Sequence, residues 1–285
     1  MKRSLFIILL FAFFGYGCSS ITLAYRNADV YLQYKIYAYT AFNAQQKSTI
    51  RQAISDYMEW HRGKALPEYI IFLQNLNGAA QSAGQMKSTQ VAQLRADLVE
   101  LYQKTLDRAI RPTVEVLSTL DDSQIQGLAD TFAKDIDKQR HDELDISRDE
   151  YLDARADKTI SFFKWLAGNL SSEQEQQIRN MSRRLPLVND IYLQQREANQ
   201  ARLIALLKEH AGKEQLATFF FSWLHTPEAT RSPQQQRRIE EFEQASNGMV
   251  AAIHDLLTDT QKAHIQQRIS ELIDDMHAEI GKARQ

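Results

Sequence analysis

Cysteine, histidine and clustered carboxylates are the side chains that could do chemistry in this sequence, and their spacing argues against most reactions. The seven histidines, His61, His141, His210, His225, His254, His264 and His277, form no His-Glu-x-x-His pair, and one cysteine leaves no cluster to complete a zinc site. The acidic run Asp135, Asp137, Asp142, Glu143, Asp145, Asp149, Glu150, Asp153 and Asp157 lacks the ordered oxygens and glycine turn of a calcium loop. It reads as a solvated helix face. No Gly-x-Ser-x-Gly elbow, phosphate-binding loop or dinucleotide fingerprint occurs. The expectation is a non-enzymatic protein with no metal, no cofactor and no evident small-molecule substrate.

Trp60-His61-Arg62 is the one other place where a ring, an imidazole and a guanidinium adjoin, just before Leu66-Pro67. Consecutive residues of a helix point in different directions, so the three do not line one pocket. The expectation is that Trp60 is core, while His61 and Arg62 cap the terminal carbonyls of a helix that ends there.

Cys18 carries a more specific signal. Lys2 and Arg3 precede ten apolar residues, Leu5 to Phe14, which span roughly 15 Å at 1.5 Å per residue, about half a bilayer core. That is the pattern of a signal peptide over residues 1–17. Gly15-Tyr16-Gly17-Cys18-Ser19-Ser20 resembles the lipobox of bacterial lipoproteins, with Gly15 where Leu is usual and Tyr16 where a small residue is usual. The resemblance implies lipidation of Cys18, and Ser19 after it implies sorting to the outer membrane, facing the periplasm. The thiol is the chain's only one, and left free in an oxidising compartment it would be reactive.

The rest of the chain must fold without disulfides, and its composition favours helix. Only 10 Gly and 5 Pro interrupt 285 residues, and β-branched runs are rare. Formal charge is -2, and removing Lys2 and Arg3 with residues 1–17 makes it -4, with both signs interspersed. Nucleic acid is therefore a poor partner. Val91, Leu94, Leu98, Leu101 and Thr105 share one helical face, as do Ile125, Leu128, Phe132 and Ile136, and Ile265, Ile269, Leu272, Met276 and Ile280. The fold predicted is all-α, a multi-helix, elongated or curved antiparallel bundle forming one domain over residues 18–285.

Breaks are expected near Gly63–Leu66, Asn77–Lys87, Leu120, Glu143–Ser147, Leu170, Leu185, Gly212 and Thr226–Pro233. Pro67 and Pro186 read as first-turn prolines, and Pro112 as a kink. The segment with Tyr25, Tyr31, Tyr34, Tyr37 and Tyr39 reads as a helix packed into the core with its hydroxyls at the rim, or else as one suited to a membrane interface.

One signal repeats. An apolar residue, a capping residue and a glutamine recur as Leu120, Asp121 and Gln124, as Leu170, Ser171 and Gln174, and as Leu257, Thr258 and Gln261, with looser copies at Phe42 and Met86. Each reads as a capping box: the cap accepts a backbone N–H and the glutamine reaches back to the cap's own N–H. On this reading the glutamine supplies only the return half, and its loss should matter less than loss of the cap.

Leu257-Thr-Asp-Thr-Gln261 also resembles the LTxxQ motif of the Spy and CpxP group of periplasmic stress proteins, which are helical and chaperone-like. A broader resemblance is to an uncharacterised family of proteobacterial lipoproteins, known only as a domain of unknown function. It is carried by the lipobox, Tyr25-Arg-Asn-Ala-Asp29, the Tyr-rich helix with Gln45 and Gln46, Trp60-His-Arg62 and Leu66-Pro67. Together these imply an envelope protein anchored to the membrane by lipid. Its partners would be unfolded clients, in a holdase role, or one envelope protein to which it is an accessory subunit or tether.

Overall fold

The computed structural model describes Tyr25, residues 27–81 and residues 85–282; Cys18 and the signal-peptide segment lie outside them. The described residues are helical nearly throughout, with no strand. The helices are α1 (Ala28–Tyr37), α2 (Ala44–Trp60), α3 (Leu66–Gln81), α4 (Ser88–Leu117), α5 (Asp122–Glu143) and α6 (Arg148–Ala167). They continue with α7 (Ser172–Arg184), α8 (Asn189–Lys208), α9 (Lys213–His225), α10 (Pro233–Leu256) and α11 (Asp259–Lys282).

The apolar stripes decide the packing. Val91, Thr105, Ile125, Leu128, Ile136, Ile265, Ile269, Leu272 and Met276 are all buried, so each stripe faces the interior. α4 is central: α2, α3, α9 and α10 all pack on it, while α5 pairs with α8, α6 with α7, and α11 with α3 and α6. The largest core cluster draws Ile50, Ile54 and Met58 from α2, Val114 and Val116 from α4, Ile125 and Leu128 from α5, Leu203, Leu206 and Leu207 from α8, and Leu216 from α9. A second cluster joins Leu66, Tyr69 and Ile70 to Met276 of α11.

Two expectations from the sequence are corrected. There is no break at Gly63–Leu66: α2 passes through a π-helical turn, His61–Ala65, directly into α3. Pro67 lacks an N–H, and its ring would meet the carbonyl of Gly63 in a regular helix; the wider turn, closed by the Leu66 N–H on the His61 carbonyl, relieves that conflict. Pro186 lies in the connection before α8 and is not in its first turn. There the Arg155 guanidinium donates to the carbonyls of Ser182, Leu185 and Pro186, tying the connection to α6. The Tyr-rich helix α1 meets the core on one side only: none of its residues is fully buried, while Tyr25, Tyr37 and Tyr39 of the segment pack against the largest core cluster. Its apolar side chains surround it, so packing on α2 leaves Val30, Tyr31 and Tyr34 exposed while Leu32, Ile36 and Tyr37 turn inward. Pro112 lies within α4, whose assignment runs unbroken across it.

The acidic run is a solvated face, as expected, and part of it is paired. Asp149, Asp153 and Asp157, spaced by four on α6, meet Arg179 and Arg183, spaced by four on α7. Among the described residues no group of three His, Cys, Asp or Glu side chains is placed to hold a metal ion.

Candidate functional site

Two features stand out: paired glutamines at the helix starts, and a cavity between α1 and α4. The capping boxes form as the sequence predicts. The side chains of Asp121, Ser171 and Thr258 accept from the backbone N–H of Gln124, Gln174 and Gln261, and each glutamine Oε1 accepts from the cap's own N–H. The Phe42 copy is also a box, Asn43 with Gln46. At the Met86 copy only the return half exists, because a lysine side chain cannot accept: the Lys87 N–H donates to Gln90 Oε1. Ser147 with Glu150 and Ser232 with Gln235 are further boxes outside the repeated pattern, the first closing on a glutamate and the second preceded by Arg231.

The glutamines do more than close their boxes. Gln46 Nε2 donates to Gln124 Oε1 at 3.0 Å, and Gln124 Nε2 returns a bond to Gln46 Oε1 at 2.7 Å. The second N–H of each amide reaches a carbonyl of the other's approach segment, Thr119 for Gln46 and Ala41 for Gln124. Gln174 and Gln261 repeat the arrangement at 2.8 and 3.0 Å, with bonds to the Leu256 and Asn169 carbonyls. Two pairs of helix starts, α2 with α5 and α7 with α11, are thus clasped by reciprocal amides. Gly127 makes room at the first clasp: a Cβ there would lie 3.0 Å from Thr40 Oγ1, which donates to the Gln124 carbonyl. The glutamine is therefore not the minor half of the box. Gln46 and Gln124 are buried, and the function of these residues is to join helix ends.

The cavity is about 640 Å³, a size suited to a small-molecule ligand. Ala28, Leu32 and Ile36 of α1 bound one side, with Ala53, Ile54 and Tyr57 of α2 and Ala109, Pro112 and Val116 of α4 opposite or beside them. Phe132 of α5, Gln200 and Leu203 of α8, Phe220 and Trp223 of α9 and Met276 of α11 complete it. The walls thus join both core clusters and are overwhelmingly apolar. Phe220 and Trp223 stack with centroids 6.2 Å apart.

His61 lies on this wall and not at a helix end, which corrects the capping role expected for it. The Tyr25 hydroxyl pairs with His61 Nδ1, the ring stacks on Tyr69 at 6.0 Å, and Tyr57 and Trp60 lie within 6.3 Å. Arg62 lies over the Tyr25 ring. Burial pushes the imidazole down from 6.5 to about 4, with the Arg62 charge acting the same way, and burial pushes the Tyr25 phenol up. Both groups are neutral at pH 7, and the tautomer of the imidazole sets which of the phenol oxygen and Nδ1 donates.

A pH dependence follows. The folded protein resists protonating His61, whereas the unfolded chain takes the proton near 6.5. Its share of stability is complete above that value and is lost as pH falls toward 4, by up to about 3 kcal/mol. Urea unfolding between pH 7 and 4 should show a steeper loss in the parent protein than in His61→Gln. Parallel curves would show that the imidazole is not held neutral by burial.

The model for Family of unknown function (DUF6279) matches residues 38–230, and the chain belongs to that family. No curated protein and no solved structure matches the chain. The matched region holds the Gln46–Gln124 clasp, His61 and most of the cavity wall.

Proposed function

We propose that the protein is a non-enzymatic binding protein of the bacterial envelope, held by lipid on Cys18 at the periplasmic face of the outer membrane, and that it takes an apolar ligand into the cavity beside α1. The cavity is the observation that carries this reading. Water finds few partners between such walls, and an apolar chain displacing it gains about 0.8 kcal/mol per buried methylene. The polar groups of the wall that could do chemistry have partners within the protein: His61 pairs with Tyr25, and Thr105 donates to the Leu101 carbonyl and bonds to Tyr69. The expectation of no small-molecule ligand is therefore replaced by one apolar ligand. A second reading, an accessory subunit of an envelope complex, is favoured by the exposed Val30, Tyr31 and Tyr34 of α1. A holdase would shield its clients with broad apolar surface, and among the described residues the exposed large apolar side chains besides these are Ile71 and Phe221.

The test is a titration of the full chain, carrying Cys18→Ser to dispense with detergent, with the polarity-sensitive dye N-phenyl-naphthylamine. Saturable binding is expected. Ala53→Phe and Ala109→Phe, which fill the cavity from α2 and from α4, should each weaken it about tenfold or more, with unchanged helicity by circular dichroism. No saturable binding by the parent chain, or unaltered binding by both folded variants, would remove the cavity from the function.

A further inference from the structure

The polar groups of the cavity wall narrow the ligand. His61 pairs with Tyr25, Tyr69 with Thr105, Thr105 donates to the Leu101 carbonyl, and Thr40 donates to the Gln124 carbonyl. Arg196 is matched by Asp135 at 3.2 Å and by Gln139 Oε1 at 3.0 Å. Gln200 differs. It is 6% exposed, lines the cavity, and its Oε1 has no hydrogen-bond partner. A buried carboxamide oxygen left unsatisfied is costly, and a helix facing an apolar core has no packing reason to place glutamine there.

Resting on the cavity reading above, we infer that the ligand is a single-chain acyl amphiphile with a neutral, hydrogen-bond-donating head, its head at Gln200 and its chain along the apolar wall. A hydroxyl supplies the donor that Oε1 lacks. A carboxylate or phosphate at neutral pH offers only acceptors, and Arg196, the arginine on the wall, is already engaged by Asp135 and Gln139. The remaining wall offers an acyl chain predominantly aliphatic and aromatic surface.

Displacement of N-phenyl-naphthylamine from the full chain carrying Cys18→Ser tests this, with monolauroylglycerol, laurate and a dilauroyl phospholipid as competitors at pH 8. Monolauroylglycerol should compete at least tenfold better than laurate or the phospholipid. Gln200→Leu and Gln200→Met, which should fold at least as stably as the parent because they remove an unsatisfied oxygen, should abolish that preference, with saturable dye binding by each variant reporting that the cavity is still formed. A preference for laurate or for the diacyl lipid, or a preference that survives both substitutions, overturns the inference while the cavity remains a binding site. Failure of the parent chain to bind even the dye would instead overturn the cavity reading on which the inference rests.

Discussion

Gln124→Ala is expected to cost more stability than Asp121→Ala, although the aspartate is the residue that caps the helix. Removing the cap deletes one acceptor for a backbone N–H, at about 1 kcal/mol. Removing the glutamine deletes the return bond to Asp121, the bond to the Ala41 carbonyl and both bonds to Gln46, and it leaves the buried Gln46 amide half-satisfied. At about 1–3 kcal/mol for each buried polar group left without a partner, the loss is about 2–4 kcal/mol. For a chain of this size that corresponds to a fall in Tm of about 5–15 °C. Adding Gln46→Ala should cost much less than it does alone, because its partner is already gone; a coupling of about 1 kcal/mol or more is expected. Gln124→Ala with Gln261→Ala should be additive, since the two clasps share no partner. Calorimetric melting of the four single variants and both doubles decides the matter. Additivity within the first clasp, or a smaller loss for Gln124→Ala than for Asp121→Ala, would show that the amide pairing carries little energy.

The sequence revealed the clasps only in part, and the reason is range. A capping box is written within four residues, so Asp121 and Gln124 announce a helix start without any knowledge of the fold. That Gln124 meets Gln46, 78 residues away, depends on how α2 and α5 pack, and nothing local encodes it. The helical stripes were legible because period is local too. At Trp60-His61-Arg62 the local signals misled. Gly63 and Pro67 are helix-ending residues, yet the π turn lets the helix continue, and it is that continuation which places His61 against Tyr25 and Tyr69. Gln200 gave no signal, since glutamine is common in helices; only the packing of α8 shows that this one is buried beside apolar walls.

The cavity and Cys18, the proposed lipid site, also have a sequence relation. Tyr25, at the cavity wall, follows Cys18 by seven residues, a span of at most about 25 Å when fully extended. A protein held by Cys18 therefore keeps Tyr25 and α1 close to the bilayer surface, where acyl amphiphiles are most concentrated. The exposed Tyr31 and Tyr34 suit that position, having apolar bodies and polar tips.

This geometry makes Cys18→Ser the substitution with the largest expected effect on location. Lipid attached at Cys18 would supply two or three acyl chains, and at about 0.8 kcal/mol per buried methylene these hold a protein stably where one chain is marginal. Without them the described residues offer no alternative span, since no helix among them is long and apolar enough to cross a membrane. The variant should leave the membrane fraction almost completely and appear in the soluble periplasm. Its melting temperature and dye binding should match those of the parent, because Cys18 precedes every described element that builds the core or the cavity. Fractionation with and without a high-salt wash is the measurement. Release only by salt would assign a share of the attachment to charged contacts. Retention after the wash would show that lipid on Cys18 is not the main anchor; Tyr31→Ser and Tyr34→Ser, added to Cys18→Ser, would then show whether the exposed side of α1 holds the protein instead.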